Sequence, residues 1–101
     1  MNNKFVYKIF TRNEWKKFSE DRFVGSHLDI SSGFIHLSSK NQINATINKF
    51  FKTKTSLIIA GFKVETLGSK LKWEEVYKDK FFPHFYGKLF FKHLNNFRLY
   101  Y

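Results

Sequence analysis

The chain contains no cysteine, one proline and one methionine, and its acidic residues are few: 8 Asp and Glu against 18 Lys and Arg. Without cysteine there is no disulfide, no thiolate nucleophile and no cysteine zinc site. No internal repeat, linker or low-complexity segment interrupts the 101 residues, which is the length of one domain with a single core. No apolar run approaches the length needed to cross a bilayer. Met1-Asn2-Asn3-Lys4 leads directly into a short apolar alternation, so the expected setting is soluble and cytoplasmic, without a membrane partner.

The shortage of acid leaves a formal charge of +10 and a pI near 9.9, which favours anionic partners such as nucleotides, nucleic acid or acidic lipid headgroups without choosing among them. Lys and Arg are scattered from Lys4 to Arg98. No basic tail or arm of the kind that signals nucleic acid is present. Aromatic residues make up 21% of the chain, with 14 Phe, more than a core of this size can bury. Some are therefore expected at a groove, a surface or a dimer face, although an AT-rich genome would raise Phe together with Lys, Asn and Ile. The sequence leaves the oligomeric state open.

Phe5 to Phe10 alternates aromatic and β-branched residues and predicts a strand covered on both sides. Thr11 and Glu14 form a capping box, with Trp15 and Phe18 on one face of a helix ending near Glu20. Asp21 to Ser32 is polar and is expected to cross the molecule as an ordered loop. Gly33-Phe34-Ile35-His36-Leu37-Ser38 reads as the second strand, with Ile35 and Leu37 inward and Phe34, His36 and Ser38 on the other side. Ser39 and Gln42 make a second capping box whose helix start offers backbone N–H groups to an anion, and Ile43, Ile47, Phe50 and Phe51 mark the main helix. Thr55 to Val64 predicts a central strand, with Gly61 at a bulge or close contact. Leu71 to Tyr77 predicts a fourth strand, Phe81 to Gly87 a proline turn, and Leu89 to Leu94 and Phe97 to Tyr101 one or two last short strands. The pattern β-α-loop-β-α-β-β-loop-β predicts an α+β domain with a strongly bent mixed or antiparallel sheet and two helices.

Three segments place polar groups among aromatics: Gly33 to Ser38, Lys72-Trp73-Glu74, and Phe82-Pro83-His84-Phe85-Tyr86-Gly87. His36 has the chemistry of a general base, a ribose-binding group or a metal ligand; a hydrogen-bonded structural histidine fits the same pattern. Ser38 has no nucleophile elbow around it and suits a helix entry. Glu74 beside Trp73 suits a general base or a ribose-binding carboxylate, or an exposed strand acid paired with Lys72 or Lys78. Pro83 and Gly87 can hold His84 and Tyr86 rigidly, and a plain structural plug has the same composition. Asp29 reads as a turn-stabilising acceptor. A metal would recruit His36, His84, Glu74 or Asp29, but no two histidines lie at a ligand-pair spacing and none is expected.

In this order, Val6-Tyr7-Lys8-Ile9, Trp15, Gly33 to Ser38, Gln42, Trp73-Glu74 and Phe82 to Gly87 resemble a bacterial and plant family catalogued as domain of unknown function 952. That family is distantly similar to the ADP-ribosyltransferase superfamily. The resemblance implies a split sheet with NAD or an ADP-ribose-like nucleotide in an aromatic cleft, and ADP-ribosyl transfer or NAD glycohydrolysis as the activity. It places Tyr7 and Lys8 where those transferases carry a first-strand His or Arg, with Lys8 to fill that role, His36 and Ser38 on the second strand, and Glu74 as the late acid. Glu74 and His36 would then be catalytic, with Lys8, Phe34, His36, Ser38, His84 and Tyr86 binding the nucleotide. The alternative is a non-catalytic module that grips RNA or single-stranded nucleic acid by stacking and phosphate contacts.

Overall fold

A computed structural model describes residues 4–52 and 56–101 of the chain. The elements are β1 (Phe5–Phe10), α1 (Arg12–Ser19), α2 (His27–Ser32), β2 (Ile35–His36), α3 (Ile43–Phe50), β3 (Leu57–Lys63), α4 (Val64–Leu67), β4 (Leu71–Tyr77), β5 (Lys80–Phe85) and β6 (Leu94–Tyr100). The protein is an α+β domain. Its strands form two three-stranded sheets, β1-β3-β6 and β2-β5-β4, and every described pairing is antiparallel. Among the described residues one bridge, between Tyr7 and Ser38, joins them. The expected bent sheet is therefore divided in two.

Strand β1 is covered on both sides, as its alternation requires. Val6 and Phe10 face a core shared with Phe18, Phe23, Ile35, Leu37, Phe62, Phe85 and Leu89. Ile9 faces a smaller one, made with Leu57, Ile59 and the α3 residues Ile43 and Ile47. In the larger core Phe10 stacks on Phe18 at 5.0 Å and meets Phe23 edge-on at 5.1 Å. Truncating a buried phenylalanine of this kind costs about 3–5 kcal/mol. Lys8 lies between Val6 and Phe10 in the alternation and is buried with them, a position that demands a counter-charge.

The Thr11–Glu14 capping box forms, each backbone N–H bonded to the other's side chain. The second box contributes its Gln42 half: the Ser39 N–H donates to Gln42 Oε1 at 3.0 Å. That amide is thus taken up by the chain itself. A 3₁₀ turn over Lys40–Gln42 leads into α3. Gly61 sits at the close contact expected of it, because the register of β3 on β6 shifts between Gly61 and Phe62, and a Cβ there would meet the Asn96 side chain at 2.8 Å.

The segment read as a loop contains α2. Ser26 accepts from the Asp29 N–H while Asp29 accepts from the Ser26 N–H, and Gly33 ends the helix with φ of 88°, a conformation that glycine adopts without strain. Strand β2 is shorter than Gly33 to Ser38, because the chain leaves the sheet after His36 to bridge to β1. The proline turn is also a strand: β5 is the middle of its sheet. Pro83 is tolerated there because its carbonyl accepts from the Leu37 N–H on the β2 side, and in an antiparallel ladder its missing N–H lies on that same side. There the β2 ladder has already ended. Leu89 to Leu94 is not a strand; Phe91–His93 forms a 3₁₀ turn that leads into the single long strand β6. With α2 and the one-turn α4, the helices exceed the two expected. Thr55, the expected start of β3, and Met1 to Asn3 lie outside the described residues.

Candidate functional site

The site is the face of β2-β5-β4 turned away from the main core. His36 and His84 are directly opposed across β2 and β5, and Lys72 is opposed to His84 across β4. Alternation then places Glu74, two residues on from Lys72, and Tyr86, two on from His84, on the same side. The neighbours Ile35, Phe85 and Leu71 point the other way, into the core. Phe34, released from the Gly33 turn, stacks on the His84 ring at 4.0 Å and lies 4.5 Å from His36 and 5.3 Å from Tyr86. The two imidazole centres are 5.6 Å apart.

Each histidine holds a carboxylate on the same ring nitrogen. His36 Nδ1 is 2.8 Å from Asp29 Oδ1, and His84 Nδ1 is 2.7 Å from Glu74 Oε1. Among the described residues no buried side-chain nitrogen or oxygen lacks a hydrogen-bond partner. The rings bond only through Nδ1 among the described residues. The His36 side chain is 31% exposed and that of His84 7%, so His36 is the accessible ring and His84 lies largely covered, with Phe34 stacked on it. Both rings are therefore oriented by a carboxylate on Nδ1, with no described protein partner on Nε2.

The two carboxylates differ. Asp29 is sealed, its side chain 1% exposed; its Oδ2 accepts from Lys8 Nζ at 2.9 Å and from the Ser26 N–H, and its Oδ1 accepts from the His36 N–H. Burial alone would push its carboxyl up. The His36 bond, the Lys8 charge and the two backbone amides outweigh burial and hold it well below the usual carboxylate range. Lys8 also donates to the His36 carbonyl at 3.1 Å, so Lys8 and Asp29 together fix β2 to β1. Glu74 is 39% exposed. The Tyr86 hydroxyl, donating to its Oε1 at 2.6 Å, and His84 lower its carboxyl below the ordinary range, and the same bond raises the Tyr86 phenol. No protein donor is described on Glu74 Oε2, which faces solvent as an ionised acceptor.

Of the residues singled out in the sequence, Phe34, His36, Glu74, His84 and Tyr86 come together here. Lys8 lies beneath them, engaged by Asp29. Ser38 stands apart and buried, its hydroxyl 3.0 Å from that of Thr46 on α3. The residue underestimated was Asp29, which supports His36 and Lys8 as well as capping α2. Its signal was legible in Ser26-His27-Leu28-Asp29, the spacing of a capping box, and in the uncompensated Lys8 on a core-facing position. An open groove lined by Val24, Ile30, Phe34 and Gly87 runs alongside. Among the described residues no group of three or more His, Cys, Asp or Glu could hold a metal ion, and no helix is long and apolar enough to cross a membrane.

These features define a small α+β domain with two carboxylate-backed histidines and an aromatic cluster on one sheet face. The chain belongs to the family described as "Protein of unknown function (DUF952)", whose profile matches residues 9–96. It is similar to protein CC0527 from Caulobacter crescentus: the crystal structure superposes with a TM-score of 0.87 at 35% identity, covering 94% of this chain and 84% of that one. The solution NMR structure of CC0527 gives 0.80 at 36% identity, covering 93% and 82%. No curated protein matches the chain.

Proposed function

We propose that this face binds NAD or an ADP-ribose-like nucleotide and acts on its nicotinamide–ribose bond, by ADP-ribosyl transfer or by glycohydrolysis. The observation that carries the reading is Glu74: an ionised carboxylate with one oxygen engaged by His84 and Tyr86 and the other free, beside an aromatic cluster. Cleavage of that bond builds positive charge on the ribose, and a fixed carboxylate stabilises it. Phe34 and Tyr86 offer ring faces to the nicotinamide or adenine, His36 Nε2 and Lys72 suit a ribose hydroxyl or phosphate, and His84 keeps Glu74 in place. Lys8 acts through Asp29 and β2 rather than by touching the ligand.

An amide-resolved NMR titration with NAD and with ADP-ribose tests binding. Shifts confined to Phe34–His36, Glu74 and His84–Tyr86, and persisting in salt, support the reading; no shift with either ligand removes it. The chemical half is tested by Glu74→Gln, expected to abolish nicotinamide release while leaving nucleotide affinity within a few-fold. Unchanged turnover would take Glu74 out of the mechanism. The charge of +10 favours a second reading, a binding module for RNA or single-stranded nucleic acid, whose affinity would fall steeply with salt and whose shifts would spread over lysine-bearing surfaces.

A further inference from the structure

The nicotinamide–ribose chemistry assigned to Glu74 leaves one feature unused: two histidines, side by side, each with Nδ1 on a carboxylate and no described protein partner on Nε2, His36 the more exposed and His84 reached at its edge. A single structural histidine needs no such arrangement. Two oriented imidazoles on one face are what a reaction needs when one proton must be removed and another delivered in the same event. The ring centres are 5.6 Å apart, close enough for both imidazoles to reach one phosphate group. Lys72, opposed to His84 across β4, supplies a cation on that face, and Phe34 and Tyr86 flank the pair as stacking surfaces.

We infer that His36 and His84 form an acid–base pair for the cleavage of a ribonucleotide phosphodiester next to a free 2′-hydroxyl. One Nε2 accepts the 2′-hydroxyl proton as that oxygen attacks phosphorus. The bond from phosphorus to the 5′-oxygen breaks, and the other Nε2–H delivers its proton to the departing oxygen. The products are a 2′,3′-cyclic phosphate and a 5′-hydroxyl. One imidazole gains a proton and the other loses one, solvent resets the pair, and neither an oxidant nor a cofactor is required. The carboxylates of Asp29 and Glu74 are positioning groups in this step, fixing which nitrogen faces the substrate. The substrate class is single-stranded RNA or a short oligoribonucleotide, whose bases can leave a stack to lie on Phe34 or Tyr86.

The test uses the dinucleotide UpA, which contains no nicotinamide–ribose bond, so failure here is distinct from failure of the NAD reading. Formation of cyclic uridine phosphate is followed by chromatography in EDTA, with wild type, His36→Asn and His84→Asn purified identically and their folding checked by thermal midpoint. Each variant is expected to lose about 10²–10⁴-fold in rate, the usual contribution of a general acid or base. With uridine 3′-(4-nitrophenyl phosphate), whose leaving group needs no proton, one of the two variants is expected to recover most of its rate, which identifies the acid. A wild-type rate equal to that of either folded variant overturns the inference, as does activity that vanishes in EDTA. If His84→Asn fails to fold, Glu74→Gln replaces it; an unchanged UpA rate in that variant overturns the positioning of His84.

Discussion

Replacing Asp29 by Asn removes a charge on which four groups converge: Lys8 Nζ and the Ser26 N–H, both at 2.9 Å, the His36 N–H at 3.0 Å and His36 Nδ1 at 2.8 Å. The amide keeps one acceptor and turns an N–H₂ donor toward groups that are themselves donors. Lys8, 7% exposed at its side chain, is left buried without a counter-charge. Breaking a buried pair from one side costs about 3–5 kcal/mol, a large part of the roughly 5–15 kcal/mol that holds a domain together. At about 4–8 °C per kcal/mol for a domain near this size, the midpoint falls by at least about 12 °C. Urea unfolding followed by the fluorescence of Trp15 and Trp73 measures the loss. The decisive comparison is with Lys8→Met and Lys8→Met/Asp29→Asn. Removing both charges lifts the penalty of the orphaned ammonium, so the double variant should be more stable than Asp29→Asn alone. A single variant within about 1 kcal/mol of wild type, as for an exposed ion pair, would refute the reasoning.

Asp29 also sets a direction for acid stability. Its folded carboxyl is held below its unfolded value, so its stabilisation is complete above about pH 4 and is lost as pH falls toward the folded value; unfolding midpoints should decline through that acid range, and less so in Asp29→Asn. Tyr86→Phe removes the strongest influence lowering Glu74, so the Glu74 carboxyl carbon should titrate at higher pH by NMR. Gly33→Ala, at φ of 88° with open space around it, should cost about 1 kcal/mol; Gly25→Ala should cost more, because its Cβ would also meet that of Asp29 at 2.9 Å. Phe34→Ala should weaken NAD binding by calorimetry while sparing the fold, since Phe34 packs on the site rather than in the core.

What the sequence showed well were features set by local period and capping. Strand β1, helix α1 and strand β4 each carry their pattern within a few residues. The pairing of β5 between β2 and β4 was hidden because Pro83 argues against a central strand, and its missing N–H becomes harmless only once β2 is known to end at His36. Helix α2 was hidden for a different reason: Ser26 to Ser32 has the polarity of a loop, and its capping box outweighs that polarity only because Asp29 is also needed by Lys8 and His36. The gathering of Phe34, His36, Glu74, His84 and Tyr86 could be suspected from aromatic-flanked polar residues. Their division into two carboxylate–histidine pairs depends on register. One slip of β5 would face His84 into the core and leave Glu74 alone.

That dependence separates the two chemistries proposed for the face. Both need a ribonucleotide held against Phe34 and Tyr86, but they use different atoms: the free Oε2 of Glu74 acts on the bond to the base, and the two Nε2 atoms act on the bond at phosphorus. Glu74→Gln removes the ionised oxygen while retaining a side chain that can accept a bond from His84, so nicotinamide release should be lost and UpA cleavage only weakened. His36→Asn leaves the Glu74–Tyr86–His84 group untouched, so it should strike phosphodiester cleavage far harder than nicotinamide release. If the two variants depress both reactions equally, the face acts as one catalytic unit, and the assignment of separate roles to its carboxylate and its histidine pair is wrong.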